Sequence, residues 1–178
     1  MADTVRTLAA LQSLLADNET GDISPQDLRD MLVSILGAYG GFYIHASSTG
    51  HTLGGSEELC TLATPTAFDA QDLEVDTGNK KVTIATDGKY LVLVGAVCRV
   101  DSTNAVTLKI RKTASGGSSS DIGIASHYSP TQADETLSFA MAGIADLVDG
   151  DYLRLWVNGT ATDVLTVTEL SLVVCRLA

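Results

Sequence analysis

The chain has 178 residues, 45% of them hydrophobic, which is enough for one domain with its own core and a small accessory segment. Its 22 acidic residues outnumber its 11 basic residues and give a formal net charge of −11, which argues against nucleic acids and anionic membranes as partners because both attract clustered lysine and arginine. No run of about 18 apolar residues predicts a membrane span, and we expect no signal peptide in residues 1–16.

Two short amphipathic helices are predicted at the start of the chain. Apolar residues recur at helical spacing over residues 4–16, and a turn-rich break follows them. The second helix begins with Ser24 as its N-cap, and Gly37, Gly40 and Gly41 end it. Because isolated helices of about a dozen residues are marginal in water, we expect their apolar stripes to be covered by the following domain, by sister subunits or by a larger assembly.

From Phe42 onward the pattern changes to short apolar runs separated by turn residues. In one of these runs Val106, Leu108 and Ile110 alternate with polar residues, which is typical of a strand with one buried face. Strands are predicted over residues 42–46, 82–85, 90–100, 105–112, 122–128, 136–142, 152–157, 164–167 and 170–177. So many strands with regular turns and no intervening helix predict an antiparallel β-sandwich or barrel.

Several of these segments resemble the C1q/TNF-like jelly roll. The resemblance rests on the Gly-x-Tyr start of a long strand at 88–90, the charged alternating strand 108–112, the Gly-Asp hairpin at 150–151 and the apolar last strand 170–177. It implies a mainly β protein in which two short N-terminal α-helices precede an antiparallel jelly-roll sandwich. The chain departs from the pattern in lacking several aromatic residues that are usual in the vertebrate members.

The same resemblance implies a homotrimer and divides the chain into two parts. Residues 1–41 are expected to form a helical attachment module, and residues 42–178 a jelly-roll domain for trimerisation and display. The first and last strands would then lie in an inner sheet near the three-fold axis, with the strand that contains residues 90–94 beside them. The trimer interface is predicted at apolar residues of these strands: Phe42, Ile44, Tyr90, Val92, Leu170, Leu172 and Val174.

Residues 16–30 are similar to a helical segment at the start of bacteriophage fibre and virion-surface proteins. Joined to a trimeric β-domain, this segment implies a structural virion protein that is made in the host bacterial cytoplasm. We expect the N-terminal module to bind other phage structural proteins, either the major capsid protein or tail proteins. The attachment contacts are predicted at apolar residues of the two helices: Leu8, Leu11, Leu15, Leu28, Leu32 and Ile35.

Three functions stay open at this point. The first is a capsid-decoration subunit, either a cement protein or a head fibre. The second is a tail fibre or receptor-binding tip that recognises a host glycan or protein. The third is a secreted bacterial C1q-like lectin, against which the lack of a visible signal peptide argues. For the helices, attachment to a particle is favoured over a simple cap on their own β-domain.

No residue pattern predicts an enzyme. The sequence contains no Gly-x-Ser-x-Gly nucleophile motif, no P-loop and no dinucleotide-binding fingerprint. The carboxylate pairs at 57–58 and 134–135 are expected on solvated loops, whereas catalytic carboxylates need burial to shift their pKa. We expect no catalytic residues and no cofactor.

The cysteines and histidines do not predict a metal site. Cys60, Cys98 and Cys175 are odd in number and far apart, so we expect buried free thiols. The histidines lack a partner four residues away and are expected to be structural, although three copies on an axis would allow one histidine per chain to form a three-fold site. Residues 16–27 echo an EF-hand loop, but Asp27 is one carbon short of the usual last ligand, so a capped turn is favoured over calcium binding.

Trp156 is the only tryptophan of the chain, and it lies between two apolar residues of a predicted strand. On the surface it would offer a ring for stacking on a sugar, whereas in the interior it would fill the sandwich core. The core position is favoured.

Overall fold

The computed structural model describes residues 37–177, which form a sandwich of two six-stranded antiparallel sheets. The strands, in chain order, are β1 (Tyr39–Ile44), β2 (Gly50–Thr52), β3 (Glu58–Leu59), β4 (Thr66–Ala67), β5 (Leu73–Asp76), β6 (Lys81–Ile84), β7 (Gly88–Val100), β8 (Val106–Thr113), β9 (Ser119–Tyr128), β10 (Thr136–Leu147), β11 (Tyr152–Asn158) and β12 (Val164–Leu177). Within residues 37–177, no helix is long and apolar enough to cross a membrane. The two predicted N-terminal helices lie outside the described residues.

The order of strands in each sheet shows the jelly-roll path of the chain. In the first sheet the order is β10-β7-β12-β1-β4, and β2 pairs with the start of β12. In the second sheet the order is β5-β6-β11-β8-β9, and β3 pairs with β11. The chain therefore passes back and forth between the sheets, and each sheet has one face on a shared core and one face turned outward. The predicted antiparallel sandwich is confirmed.

The core between the sheets is built from alternate residues of the long strands. On β8, Val106, Leu108 and Ile110 are fully buried, as their alternation with polar residues predicted. In the other sheet, β7 buries Tyr90, whose hydroxyl donates a hydrogen bond of 2.7 Å to the carbonyl oxygen of Thr86. Full burial of one aliphatic side chain, such as those of β8, contributes about 1.5–3 kcal/mol to folding. The burial of this core layer is therefore the main interaction that holds the two sheets together.

The first strand begins earlier than the sequence predicted. β1 starts at Tyr39 and includes Gly40 and Gly41, which sequence analysis had assigned to the end of a helix and to the N-terminal module. Gly41 lies opposite Val173 of β12, and a Cβ atom added at Gly41 would overlap with the carbonyl oxygen of Leu172. Glycine is therefore needed here for close strand pairing and does not terminate a helix.

Several other strands are longer than predicted, among them β12 and β10. The segments 164–167 and 170–177 belong to one strand, β12, which is interrupted only by a bulge between Val167 and Glu169. At this bulge the hydroxyl of Thr168 donates to the carbonyl oxygen of Val97 on β7 at 2.9 Å. Strand β10 continues to Leu147, whereas the predicted strand ended at residue 142. Backbone pairing across neighbouring strands thus outweighs local breaks in the apolar pattern.

Candidate functional site

The outward face of the first sheet is apolar along its central strands. Ile144 of β10 is 61% exposed and Leu93 of β7 is 40% exposed, although both lie in the middle of paired strands. Polar outward residues, among them Lys89, Arg99 and Glu169, lie toward the ends of these strands. The outward residues between them are mostly apolar or small: Tyr39, Tyr43, Leu91, Leu93, Gly95, Val97, Ala140, Ala142, Ile144, Ser171, Val173 and Cys175. We call this surface the apolar face. Large contiguous apolar patches of this kind mark sites of association.

The relief of the apolar face is uneven. A shallow depression runs over small residues, among them Gly95, Ala140 and Ser171, and side chains of β1 and β7 flank it. A Cβ atom added at Gly95 would meet nothing within 4 Å, so the space above this glycine is open. At the edge strand β10, by contrast, the exposed side chain of Ile144 projects from the sheet. The face therefore carries both a hollow and a protruding apolar side chain.

Pairs of polar side chains lie at both ends of the apolar face. At one end Nδ1 of His45 lies 3.6 Å from a carboxylate oxygen of Glu169. At the other end Nζ of Lys89 lies 2.8 Å from a carboxylate oxygen of Asp146. An apolar centre bordered by polar groups is the usual anatomy of a protein–protein interface.

The structure places the predicted interface residues on the other side of the same strands. The strands themselves are neighbours as predicted, because β12 pairs with both β1 and β7. However, the side chains of all seven residues are buried in the core of one chain: Phe42, Ile44, Tyr90, Val92, Leu170, Leu172 and Val174. Side chains alternate along a strand, so a partner would meet their neighbours. A partner packed on this sheet would therefore contact outward residues such as Tyr43, Leu91, Leu93, Ser171 and Val173, and the interface itself stays a prediction.

The predicted attachment residues lie outside the part of the chain that the structure describes. These are the six apolar residues of the N-terminal helices: Leu8, Leu11, Leu15, Leu28, Leu32 and Ile35. The EF-hand-like segment 16–27 also precedes the described residues. The attachment sites and the choice between calcium binding and a capped turn stay predictions.

The outward face of the second sheet is charged and aromatic. On β11 Leu155 and Val157 point into the core, while Tyr152, Arg154 and Trp156 point outward and are half-buried. The prediction that Trp156 fills the core was therefore wrong. The alternation of side chains along β11 would have predicted the outward position of Trp156, since both of its neighbours, Leu155 and Val157, are apolar core residues.

Ion pairs connect the residues of this second face. A carboxylate oxygen of Glu57 lies 2.9 Å from Nζ of Lys109, and the other lies 2.8 Å from a guanidinium nitrogen of Arg111. Asp121 approaches the same lysine at 3.2 Å. Hydrogen bonds from Lys109 to Glu57 and then to Asp121 raise the pKa of its ammonium group. Glu57 thus has a structural role as the partner of two cations.

The histidines have local partners. His51 is buried, and its Nδ1 accepts a hydrogen bond from the backbone N–H of Thr61 at 3.1 Å, which ties β2 to the loop after β3. His127 lies 2.9 Å from the hydroxyl of Thr107 on the neighbouring strand. Among residues 37–177, no group of three or more histidine, cysteine, aspartate or glutamate side chains is arranged to hold a metal ion.

Two of the three cysteines are buried free thiols, as predicted. Cys60 and Cys98 lie in the core, and burial raises the pKa of each thiol to about 12. Cys175 is only partly buried and belongs to the apolar face of β12. It lies opposite Tyr39 and Leu91 in the paired strands. The prediction of buried thiols is thus confirmed for Cys60 and Cys98, whereas Cys175 is a partly exposed residue of the apolar face.

Comparison with known proteins gives information about the fold alone. No protein-family model matches the sequence, and no curated protein matches it either. The crystal structure of murine APRIL at pH 5.0 has a TM-score of 0.57 at 15% sequence identity, covering 79% of this chain and 99% of that chain. The fold is a TNF-like jelly roll. The structure of Eiger TNF from S. frugiperda is similar too, with a TM-score of 0.52, 16% identity and coverage of 79% and 94%.

Proposed function

We propose that this chain is a homotrimeric, non-enzymatic structural subunit of a bacteriophage particle, assembled through the apolar face and attached by its N-terminal module. The observation that supports assembly is that the middle of β7 is apolar on both sides. Leu91 and Leu93 point outward between the buried residues Tyr90, Val92 and Val94. Continuous apolar runs are typical of strands that are covered on both faces, whereas a sheet with one solvated face alternates with polar residues.

The relief of the apolar face supports a closed ring of copies. The hollow above Gly95 and the projecting Ile144 are different surfaces of one chain. A contact in which Ile144 of one copy enters the hollow of the next is therefore head-to-tail. Repeating such a contact forms a closed ring when the rotation between copies adds up to a full turn. The TNF-like jelly roll supports three as the number of copies, on the resemblance given above. Each large apolar side chain that becomes fully covered contributes about 1.5–3 kcal/mol to association. Several of them must be covered together before their sum exceeds the free-energy cost of the lost translational freedom.

The virion role rests on a different part of the chain. Its support is the similarity of residues 16–30 to the start of phage fibre and virion-surface proteins, together with a compact β-domain that follows it directly. Among virion roles we favour capsid decoration, with residues 1–36 bound to the shell and the jelly roll turned outward. The net charge of −11 would keep many neighbouring copies soluble and separate.

A second candidate is a tail fibre or receptor-binding tip. The specific observation in its favour is the charged and aromatic face of the second sheet, which carries Tyr152, Arg154 and Trp156 at half-buried positions. A decoration subunit needs no such surface, whereas a receptor-binding protein presents one to its host ligand. The two candidates share the trimer and the N-terminal module.

Two measurements test the proposal. Sedimentation equilibrium of the full chain at micromolar concentration should give three times the 18.6 kDa of one chain. A stable monomer under these conditions would contradict the trimer. Quantitative mass spectrometry of purified phage particles should then find the chain in many copies per particle for a decoration subunit, but in a handful for a tail tip. Its absence from particles would contradict both virion roles.

A further inference from the structure

We propose that the outward face of the second sheet binds an acidic polysaccharide through Lys81, Arg111 and Arg154 and the rings of Tyr152 and Trp156. We call these five residues the cationic stripe. They lie on β6, β8 and β11, on the side of the sandwich opposite the apolar face. The inference concerns a ligand site within one chain, so it does not rest on the proposed trimer or on the virion role.

Positive charge is concentrated on this sheet of an otherwise acidic chain. The chain has a net charge of −11 and only 11 basic residues. Five of these lie on three adjacent strands of the second sheet: Lys81, Lys109, Arg111, Lys112 and Arg154. Carboxylates pair with three of them: Glu57 with Lys109 and Arg111, and Asp151 with Lys112. The charges that can complement an anionic partner are therefore mainly those of Lys81 and Arg154.

Two of these cations have no carboxylate partner within the part of the chain that the structure describes. Lys81 and Arg154 form no ion pair with any acidic residue among residues 37–177. Asp76 lies opposite Lys81 in the strand register, but its carboxylate accepts hydrogen bonds from Asn79 instead. Glu74 of the edge strand β5 forms no ion pair with either cation. Two charges are thus available to a ligand.

The two unpaired cations flank an aromatic ring. Nζ of Lys81 lies 4.9 Å from the centroid of the Tyr152 ring, and the guanidinium carbon of Arg154 lies 5.1 Å from the same centroid. The guanidinium carbon of Arg111 lies 4.8 Å from the centroid of the Trp156 ring. Since Tyr152 and Trp156 are four residues apart on one strand, their rings are separated by roughly 13 Å along β11. The stripe therefore repeats a pairing of cation and ring.

The cationic stripe and the neighbouring Thr83 of β6 contain hydrogen-bond donors without acceptors. Among the described residues, Nε of Arg111, Nε of Arg154, Nε1 of Trp156 and the hydroxyl of Thr83 are buried and have no hydrogen-bond partner. Arg111 and Arg154 lie directly opposite each other in the paired strands, where like charges destabilise a sheet. A ligand that supplies negative charge and acceptor oxygens would remove both unfavourable features at once.

An acidic sugar supplies what this surface lacks. Its ring has an apolar face that stacks on an aromatic side chain, its carboxylate accepts two parallel hydrogen bonds from a guanidinium group, and its hydroxyls accept from N–H donors. The carboxylate would draw Arg111 and Arg154 away from the rings, and the sugar would take their place. An acidic peptide offers carboxylates without a sugar ring, and the net charge of −11 disfavours a nucleic acid.

The single tryptophan makes binding directly measurable. Because Trp156 is the only tryptophan, its fluorescence in the full chain reports on the stripe alone. Titration with trigalacturonic acid should change this emission to saturation, whereas the neutral trisaccharide galactotriose should not. The double variant K81Q/R154Q should lose affinity at least about tenfold, the usual effect of removing a charge-assisted hydrogen bond. As a matched control, R99Q removes an exposed cation of the other sheet and should bind like the unmodified chain.

Each alternative result has a defined meaning. Sedimentation of K81Q/R154Q should match that of the unmodified chain, which separates a lost ligand site from a lost assembly. Equal binding of poly-glutamate and trigalacturonic acid, both weakened in K81Q/R154Q, would replace the polysaccharide by an acidic polypeptide and overturn the proposal. A fluorescence change that K81Q/R154Q leaves intact, or no change with the acidic trisaccharide, would overturn it as well.

Discussion

At the scale of single residues, the three cysteines occupy environments with different consequences. Cys60 and Cys98 are enclosed by the core, and desolvation keeps their thiols protonated far above the usual range. Cys175 lies on the apolar face and is reached from outside in one isolated chain. The reactivity of the thiols therefore distinguishes the core from the apolar face, and it would also show whether a second copy covers that face.

The first prediction concerns thiol reactivity. At about pH 8, Ellman's reagent should leave Cys60 and Cys98 of the folded chain unmodified, because the thiolate is the reactive species and both pKa values are about 12. Cys175 should react in a monomeric variant and be protected in the unmodified trimer. Denatured protein should show all three thiols. Fast reaction of two or more thiols in the native protein would contradict the burial of Cys60 and Cys98.

The second prediction concerns stability at alkaline pH. Burial raises the pKa of Cys60 and Cys98 from 9.0 to about 12, so the unfolded chain releases these protons at lower pH than the folded chain. The free energy of unfolding should therefore fall as the pH rises above about 9, by on the order of 1 kcal/mol per pH unit for each thiol. Urea titrations of the unmodified chain and of Cys98→Ala test this, and an equal slope in both proteins would contradict it.

The third prediction concerns the hollow of the apolar face. Gly95→Arg should leave the fold of one chain intact, because a Cβ there meets nothing within 4 Å, but it should place a charged side chain where a second copy would sit. We expect monomers by sedimentation and an unchanged β-sheet circular dichroism spectrum. Gly116→Arg is the matched control, since its Cβ also meets nothing within 4 Å but lies in a loop, and it should remain a trimer. Trimers of Gly95→Arg would exclude this face as the interface.

At the scale of strands, the sequence predicted where most strands lie but not which side of each meets the core. Alternation identified β8 and its buried side, because Val106, Leu108 and Ile110 contrast with their polar neighbours. On β7, by contrast, Leu91 and Leu93 are as apolar as the residues between them, so no contrast indicates the inward side. The seven residues predicted for the interface consequently belong to the side of these strands that is buried in the core of one chain.

The shortest strands and the bounds of β1 were beyond the reach of sequence pattern. Strands β3 and β4 have two residues each, too few for any period to show. They exist because β11 and β1 offer free backbone groups for pairing. At Gly41 the glycine was noticed in the sequence, but it was interpreted as the end of a helix. In the structure it permits close strand pairing, a second role that glycine has in proteins.

The fourth prediction compares two neighbours on β11. Leu155→Ala should lower the free energy of unfolding by about 2–5 kcal/mol, because the side chain is fully buried and its removal leaves a cavity. Trp156→Ala removes a larger side chain but from the outward face, so its effect should be clearly smaller than that of Leu155→Ala. Urea unfolding followed by circular dichroism measures both values. A larger loss of unfolding free energy for Trp156→Ala than for Leu155→Ala would indicate that the tryptophan packs in the core.

At the scale of the whole molecule, the two outward faces of the sandwich have opposite chemistry. The first sheet presents Leu93 and Ile144 to its surroundings, and the second presents Arg111 and Arg154. Association through the first leaves the second accessible, because the core separates them. Under the two proposals, the first face would be used by copies of the chain and the second by an anionic ligand. The start of the described chain is held against β12, where the backbone N–H of Arg176 donates to the carbonyl oxygen of Ala38.

The last prediction concerns the part of the chain that attaches to the particle. A chain that begins at Gly37 should fold and form trimers, because the buried Ala38 and the whole sandwich are retained. It should no longer join phage particles. Burial of the two predicted leucine stripes is worth on the order of 10 kcal/mol before ordering costs, and three copies acting together raise the effective concentration of each anchor.

Substitution separates this attachment from a structural cap. Leu28→Asp with Leu32→Asp in the full chain should abolish particle binding in a pull-down with purified shells, while sedimentation still gives the trimer. Asp substitution of Ile144, on the apolar face, should instead remove the trimer first and weaken particle binding only through the lost avidity. If the chain without residues 1–36 aggregates or unfolds, its N-terminal module covers the β-domain itself, and the helices are then a cap whose apolar stripes were never available to a particle.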